Sequence, residues 1–185
     1  KNYLRTKNFI ESIICKLFSF DLKSNENKKI ILFVGFNPLQ YSELFENLQN
    51  YEGIVSFLNY KRPAVWNMDS VNFFRKTNCK LIRMGNFLNA SDKKLISHLV
   101  IDYLEKLERL WDDNHIKNKF TVEGITVWPF IKEILIKTFR KRIYEYLSLI
   151  LSSKKILAKT NVSCIVTLGL FAESEKAILN LNNNN

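Results

Sequence analysis

The chain has 185 residues, 46% of them hydrophobic, and carries 28 Lys and Arg against 18 Asp and Glu, a net charge of +10. That length accommodates one domain with a real core, and the apolar content excludes an intrinsically disordered chain. No apolar run reaches the length of a transmembrane helix without a charge, and the N-terminal segment KNYLRTKNFIESIICKLF lacks the unbroken apolar core of a signal peptide, so neither is expected.

Residues 3–20 read as a helix, because Phe9, Ile10, Ile13, Ile14, Leu17 and Phe18 form one apolar stripe at helical period, with Lys1, Arg5, Lys7 and Lys16 beside it. The favoured expectation is that the stripe packs on its own domain; the alternative is a basic amphipathic helix lying on a membrane surface. A polar linker, 21–29, follows. IILFVGF, 30–36, is a short continuous apolar run, as a strand buried on both faces should be. Gly35 and the Asn37-Pro38 turn close it. A helix over 39–51 and a second strand over 53–60 complete a βαβ unit, whose right-handed crossover makes parallel strands the default. Beyond the loop KRPAVWN, 61–67, the pattern predicts a helix over 70–78 and a third strand over 79–84. Leu95, Leu99, Tyr103, Leu107 and Leu110 predict a helix over 95–113. Residues 114–126 read as a connection with at most a short strand. Trp128-Pro129 then opens a long helix reaching about Lys159, since proline is well tolerated in a first turn. Ile131, Ile134, Leu135, Ile143, Leu147, Ile150 and Leu151 mark its apolar face. VSCIVTLGL, 162–170, reads as a fully buried parallel strand, and the next helix starts near 172. The expected fold is α/β: a Rossmann-like parallel sheet with helices on both faces over 30–181, behind an N-terminal helix and linker over 1–29.

Open α/β sheets bind ligands beyond the carboxyl ends of their strands. That rule selects the loops 35–38, 60–63 with Trp66, 83–86 and 169–174. In the first, Gly35 marks either a tight strand exit or a close backbone approach to a ligand, with Asn37 beside it. In the second, Lys61 and Arg62 offer cations to a phosphate or carboxylate, and Trp66 offers an indole face to a sugar or base. Gly35, Asn37, Lys61, Arg62 and Trp66 are therefore the expected substrate-binding residues. Glu123, on a loop, and Glu173, after the last strand, are the expected catalytic carboxylates. Glu173 and Glu175 also suit a helix N-terminus on electrostatic grounds alone.

Several chemistries lack their signatures. There is no GxGxxG, no GxxxxGK[ST], no GxSxG and no HExxH. Cys15, Cys79 and Cys164 are scattered, and His98 and His115 have no ligand at metal spacing, so neither a disulfide framework nor a metal is expected, nor is a cofactor. The scattered thiols fit a reducing, cytoplasmic compartment. The positive charge suits a phosphate-bearing partner, but an AT-rich coding sequence would produce the same abundance of Lys, Asn, Ile and Phe. Lys132, Lys137, Arg140, Lys141 and Arg142 read more readily as a solvated helix face than as a track for a nucleic acid.

The segments FVGFNPLQYSELFENLQ, FLNYKRPAVWN, EGITVWPFIKEIL and CIVTLGLFAESEKAIL, in this order, resemble the N-terminal domain of GT-B glycosyltransferases of the surface-polysaccharide or capsule type. The resemblance covers most of 30–181. It implies a domain that receives a saccharide or lipid-linked acceptor, while a second domain grips the nucleotide-sugar donor. It also implies work in the cytoplasm, with peripheral contact at the inner face of the membrane. The start at Lys and the terminal asparagines make a fragment of a longer protein the expectation. A basic nucleic-acid-binding module and a sugar-nucleotide epimerase domain are the alternatives.

Overall fold

The computed structural model describes residues 2–22, 28–169 and 173–182. The elements run α1 (Asn2–Phe18), β1 (Ile30–Val34), α2 (Ser42–Asn47) continued by a 3-10 turn, β2 (Ile54–Leu58), α3 (Met68–Thr77) and β3 (Lys80–Ile82). A 3-10 turn (Met84–Phe87) leads to α4 (Ala90–Trp111) and α5 (Asn114–Asn118), then to β4 (Thr121–Val122), β5 (Ile125–Thr126), α6 (Trp128–Lys159), β6 (Val162–Thr167) and α7 (Glu173–Asn182). They form two compact units, one made of 1–87 and 152–185, the other of 88–151. The sequence pattern had suggested a single α/β domain over 30–181. The 88–151 segment has a helical core of its own.

The first unit holds the expected parallel sheet, in the order β3-β2-β1-β6. Strict alternation sends Phe33, Val55 and Phe57 to one face, and Ile30, Leu32, Val34, Ile54 and Leu58 to the other. The first face is aromatic: Phe45 lies 4.6 Å from Phe57 and 4.8 Å from Phe33, both edge-on, and Phe73 and Phe74 of α3 close the cluster. Cys15 of α1 packs on this same cluster. On the second face Ile156, at the end of α6, and Ile178 of α7 cover the strands. Both faces are thus covered, as a parallel sheet requires. Phe57 is fully buried at the centre, so truncating it to Ala costs roughly 3–5 kcal/mol.

Three details depart from the sequence reading. The start of the expected linker is structured: Asp21 bridges to Leu81 in parallel, with Leu22 N–H donating to Leu81 O at 2.9 Å. β6 is an edge strand with Ser163 and Cys164 exposed, not a fully buried one, because only β1 pairs with it among the described residues. The stripe of α1 splits: Ile10 and Ile14 turn inward with Cys15, whereas Phe9, Ile13, Leu17 and Phe18 stay exposed.

In the second unit Ile96, Val100 and Leu104, spaced by one helical turn, pack with Leu88, Ile143, Leu147 and Leu151. Leu95, Tyr103 and Leu110 of the predicted set point to solvent, since α4 carries two apolar rows and only this one is buried. The helix starts earlier than predicted because Asn89 and Asp92 form a reciprocal capping box. Trp111 and Trp128 meet edge-on at 6.1 Å. β4 and β5 form a hairpin within the segment that the sequence reads as a connection with at most a short strand. Among the described residues no helix is long and apolar enough to cross a membrane.

Candidate functional site

Strand order sets the position of the site. From β1 the chain moves outward to β2 and β3, whereas β6 lies on the opposite side of β1. The crevice at such a reversal, at the carboxyl ends of the strands, is where open α/β sheets bind ligands. A cavity of 710 Å³ lies there in the first unit. Gly35–Pro38 after β1, Asn59–Pro63 after β2, Trp66, Lys7 of α1 and Glu173–Glu175 in the first turn of α7 line it.

Gly35 leaves β1 with φ +77, a conformation that side chains resist, and its N–H donates to Leu58 O at 3.0 Å. A Cβ placed on it would lie 2.6 Å from Oε1 of Glu175. The turn therefore favours glycine, and a Cβ there would also displace the carboxylate of Glu175. Glu175 itself is only 6% exposed. Asn37 Oδ1 accepts from Leu39 N–H at 3.2 Å and shapes the turn. Asn59 ties the first two loops together by donating to Phe36 O at 2.9 Å. Its Oδ1 is buried, with no hydrogen-bond partner among the described residues.

The loop between β2 and α3 is held from two sides. Glu11 of α1 accepts through Oε1 from the N–H groups of Ala64 (2.6 Å) and Val65 (3.1 Å). Burial pushes the Glu11 carboxyl above its ordinary value, while those two amides and the Arg83 charge pull the other way. On the other side, Asn67 and Ser70 form a capping box at the start of α3, and Ser70 Oγ accepts from Trp66 N–H at 3.0 Å. The Trp66 main chain is thereby anchored at the rim, and Lys7 Nζ lies 3.3 Å from the indole ring centroid. Lys61 adopts φ +66 and its ammonium lies 3.1 Å from Glu173 Oε2. Arg62 is exposed and pairs with no carboxylate among the described residues.

Known family models, curated proteins and solved structures offer no match to this chain. The site is accordingly read from its own chemistry.

Six residues singled out by the sequence line this one cleft: Gly35, Asn37, Lys61, Arg62, Trp66 and Glu173. Glu123 does not. It sits in the second unit, exposed on the β4–β5 turn, where Glu123 and Gly124 have φ +51 and +80, the conformation of a two-residue hairpin. Its placement gives it a turn role. In the loop 83–86, Arg83 turns to a bidentate pair with Asp21 and donates to Ser12 Oγ at 3.0 Å. The Asp21 hydrogen bonds raise the guanidinium pKa further. Of the loop 169–174, residues 170–172 lie outside the described residues.

Sequence reasoning missed Lys7, Asn59 and the buried setting of Glu175. Lys7 is distant in sequence, and its approach depends on how α1 docks. Glu175 read as a helix-dipole residue; its only signal was a glycine 140 positions earlier. Cys15 and Cys79 are poor nucleophiles: burial pushes their thiols up to about 12 and about 11. Among the described residues no cluster could hold a metal ion. The basic helix face is partly neutralised within its own unit: Lys132 lies 3.3 Å from Asp112, and Lys141 and Arg142 each lie 3.6 Å from Glu145.

The cleft thus offers an aromatic plate, cations at the rim and two carboxylates on one helix turn. Such a set suits a polyhydroxylated ligand. An indole can cover a sugar ring face, a guanidinium can bond its oxygens, and a carboxylate can receive a hydroxyl proton.

Proposed function

We propose that this chain is the acceptor-side domain of a two-domain glycosyltransferase of the GT-B type, serving surface-polysaccharide synthesis. The acceptor, a saccharide or a lipid-linked saccharide, lies in the cleft on Trp66. A second domain presents the nucleotide sugar. The acceptor hydroxyl oxygen bonds to the anomeric carbon, the bond from that carbon to the nucleotide breaks, and Glu175 or Glu173 takes the hydroxyl proton. Glu173 is held by Lys61, and the Glu175 carboxylate lies beside Gly35. The work takes place in the cytoplasm, at the inner face of the membrane when the acceptor carries a lipid.

The observation that carries this reading is the cleft itself, lined by a half-exposed indole and two carboxylates at the reversal point of a parallel sheet. Saturation-transfer NMR on the 185-residue chain tests it, with oligosaccharides, nucleotides and short nucleic acids offered in parallel. Oligosaccharide signals that vanish in Trp66→Ala are expected. Nucleic acids binding while saccharides do not would replace this reading with the basic-module alternative.

A further inference from the structure

The inward half of α1 is fully engaged. Glu11 holds two amides of the 64–65 segment, Ser12 accepts from Arg83, and Cys15 is buried in the aromatic core. The helix is therefore docked, and its remaining exposure is not that of an unattached segment. On the outward side Phe9 (66% exposed), Ile13 (43%) and Leu17 (73%) follow one another every fourth residue, so they form one row along the helix. Phe18, 44% exposed, extends the row at its carboxyl end. An apolar row of this size, left in water on a helix whose other half is already anchored, marks an interaction surface.

The charges around the row identify its partner. Lys16 is exposed on the same helix, the Arg75 guanidinium lies 5.8 Å from the Phe18 ring centroid, and Lys80 Nζ reaches Ser19 O at 3.3 Å. Apolar side chains flanked by cations match the interface of an anionic bilayer, where the rings enter the acyl boundary and the cations meet headgroup phosphates. A second copy of this chain fits less well. A two-fold contact through this row would set like charges against each other, on chains of net charge +10.

We propose that the outward face of α1, formed by Phe9, Ile13, Leu17 and Phe18 with Lys16 and Arg75, docks the protein onto an anionic lipid surface. This deepens the membrane-contact part of the proposed function and does not depend on what the cleft binds.

The test is co-sedimentation of the full chain with vesicles of phosphatidylcholine alone or mixed with phosphatidylglycerol. Tight binding to the anionic vesicles is expected, weakening about fivefold for each charge removed in Lys16→Gln and Arg75→Gln. The triple variant Phe9→Ser, Ile13→Ser, Leu17→Ser should lose binding at least about tenfold while keeping its unfolding transition, since all three side chains point outward. Equal binding of wild type and triple variant, or no binding of wild type, overturns the proposal. A wild-type dimer that becomes monomeric in the triple variant, without vesicle binding, assigns the face to a second copy instead. Oligosaccharide binding measured on the same triple variant separates the two readings: it should persist, and its absence from wild type as well would count against the cleft, not against the lipid face.

Discussion

Replacing Gly35 with Ala probes the joint between strand, loop and carboxylate. The added Cβ is penalised twice. At φ +77 an alanine in the left-handed region costs roughly 1–2 kcal/mol. The Cβ also falls 2.6 Å from Glu175 Oε1, so the carboxylate must move. A glutamate on the surface would swing aside freely, but this one is 6% exposed, and disturbing a buried polar group's partners costs about 1–3 kcal/mol. The expected total is about 2–5 kcal/mol, on the order of 4–20 °C in Tm for a chain of this size. Urea unfolding of Gly35→Ala, Glu175→Ala and the double variant resolves the two parts. In the Glu175→Ala background the glycine substitution should cost only its backbone share. Strictly additive effects would refute the claim that Gly35 is kept open for the carboxylate.

Glu11→Ala should destabilise by about 2 kcal/mol or more by orphaning the Ala64 and Val65 amides, whereas Glu11→Gln keeps an acceptor there. Because burial raises the Glu11 carboxyl pKa, its favourable contribution is full below about pH 4.5 and is lost as pH rises through the raised value. Glu11→Gln should therefore gain on wild type as pH rises from acid to neutral, measured as Tm against pH; a gain on lowering pH would reverse the assignment. Thiol titration with a disulfide reagent should show one fast cysteine, Cys164, and two that react only on unfolding, since Cys164 is exposed and the other two are buried with raised pKa values. Loss of the fast phase in Cys164→Ser checks it. Asn67→Ala removes the cap of α3 and should cost about 1 kcal/mol in chemical denaturation, with greater mobility of the Trp66 indole seen by fluorescence anisotropy.

The parallel sheet was legible because its two central strands are almost wholly apolar, and burial on both faces explains such runs as IILFV and IVSFL. The cleft loops were legible because strand ends follow directly from the strands, which brought Lys61, Arg62 and Trp66 to notice. Three features were not. β6 is mostly apolar, VSCIVT, and its two hydroxyl residues alone do not tell an edge strand from a central one. The α1 stripe is about 180° wide, so its period could not say which half would be buried. That choice fell to Glu11 and Ser12, whose partners lie more than 50 residues away in sequence. Glu123 looked like a cleft carboxylate because the Glu-Gly pair was read as a loop before a helix. The same pair is a hairpin signal, and the strands it joins are only two residues each.

Amide chemical-shift mapping of an oligosaccharide titrated into the labelled chain tests the central claim most directly. The account predicts shifts concentrated at Gly35, Asn37, Asn59, Lys61, Trp66 and Ser174, with the 88–151 unit silent. Shifts confined to 88–151, or spread evenly over the basic surface, would contradict it.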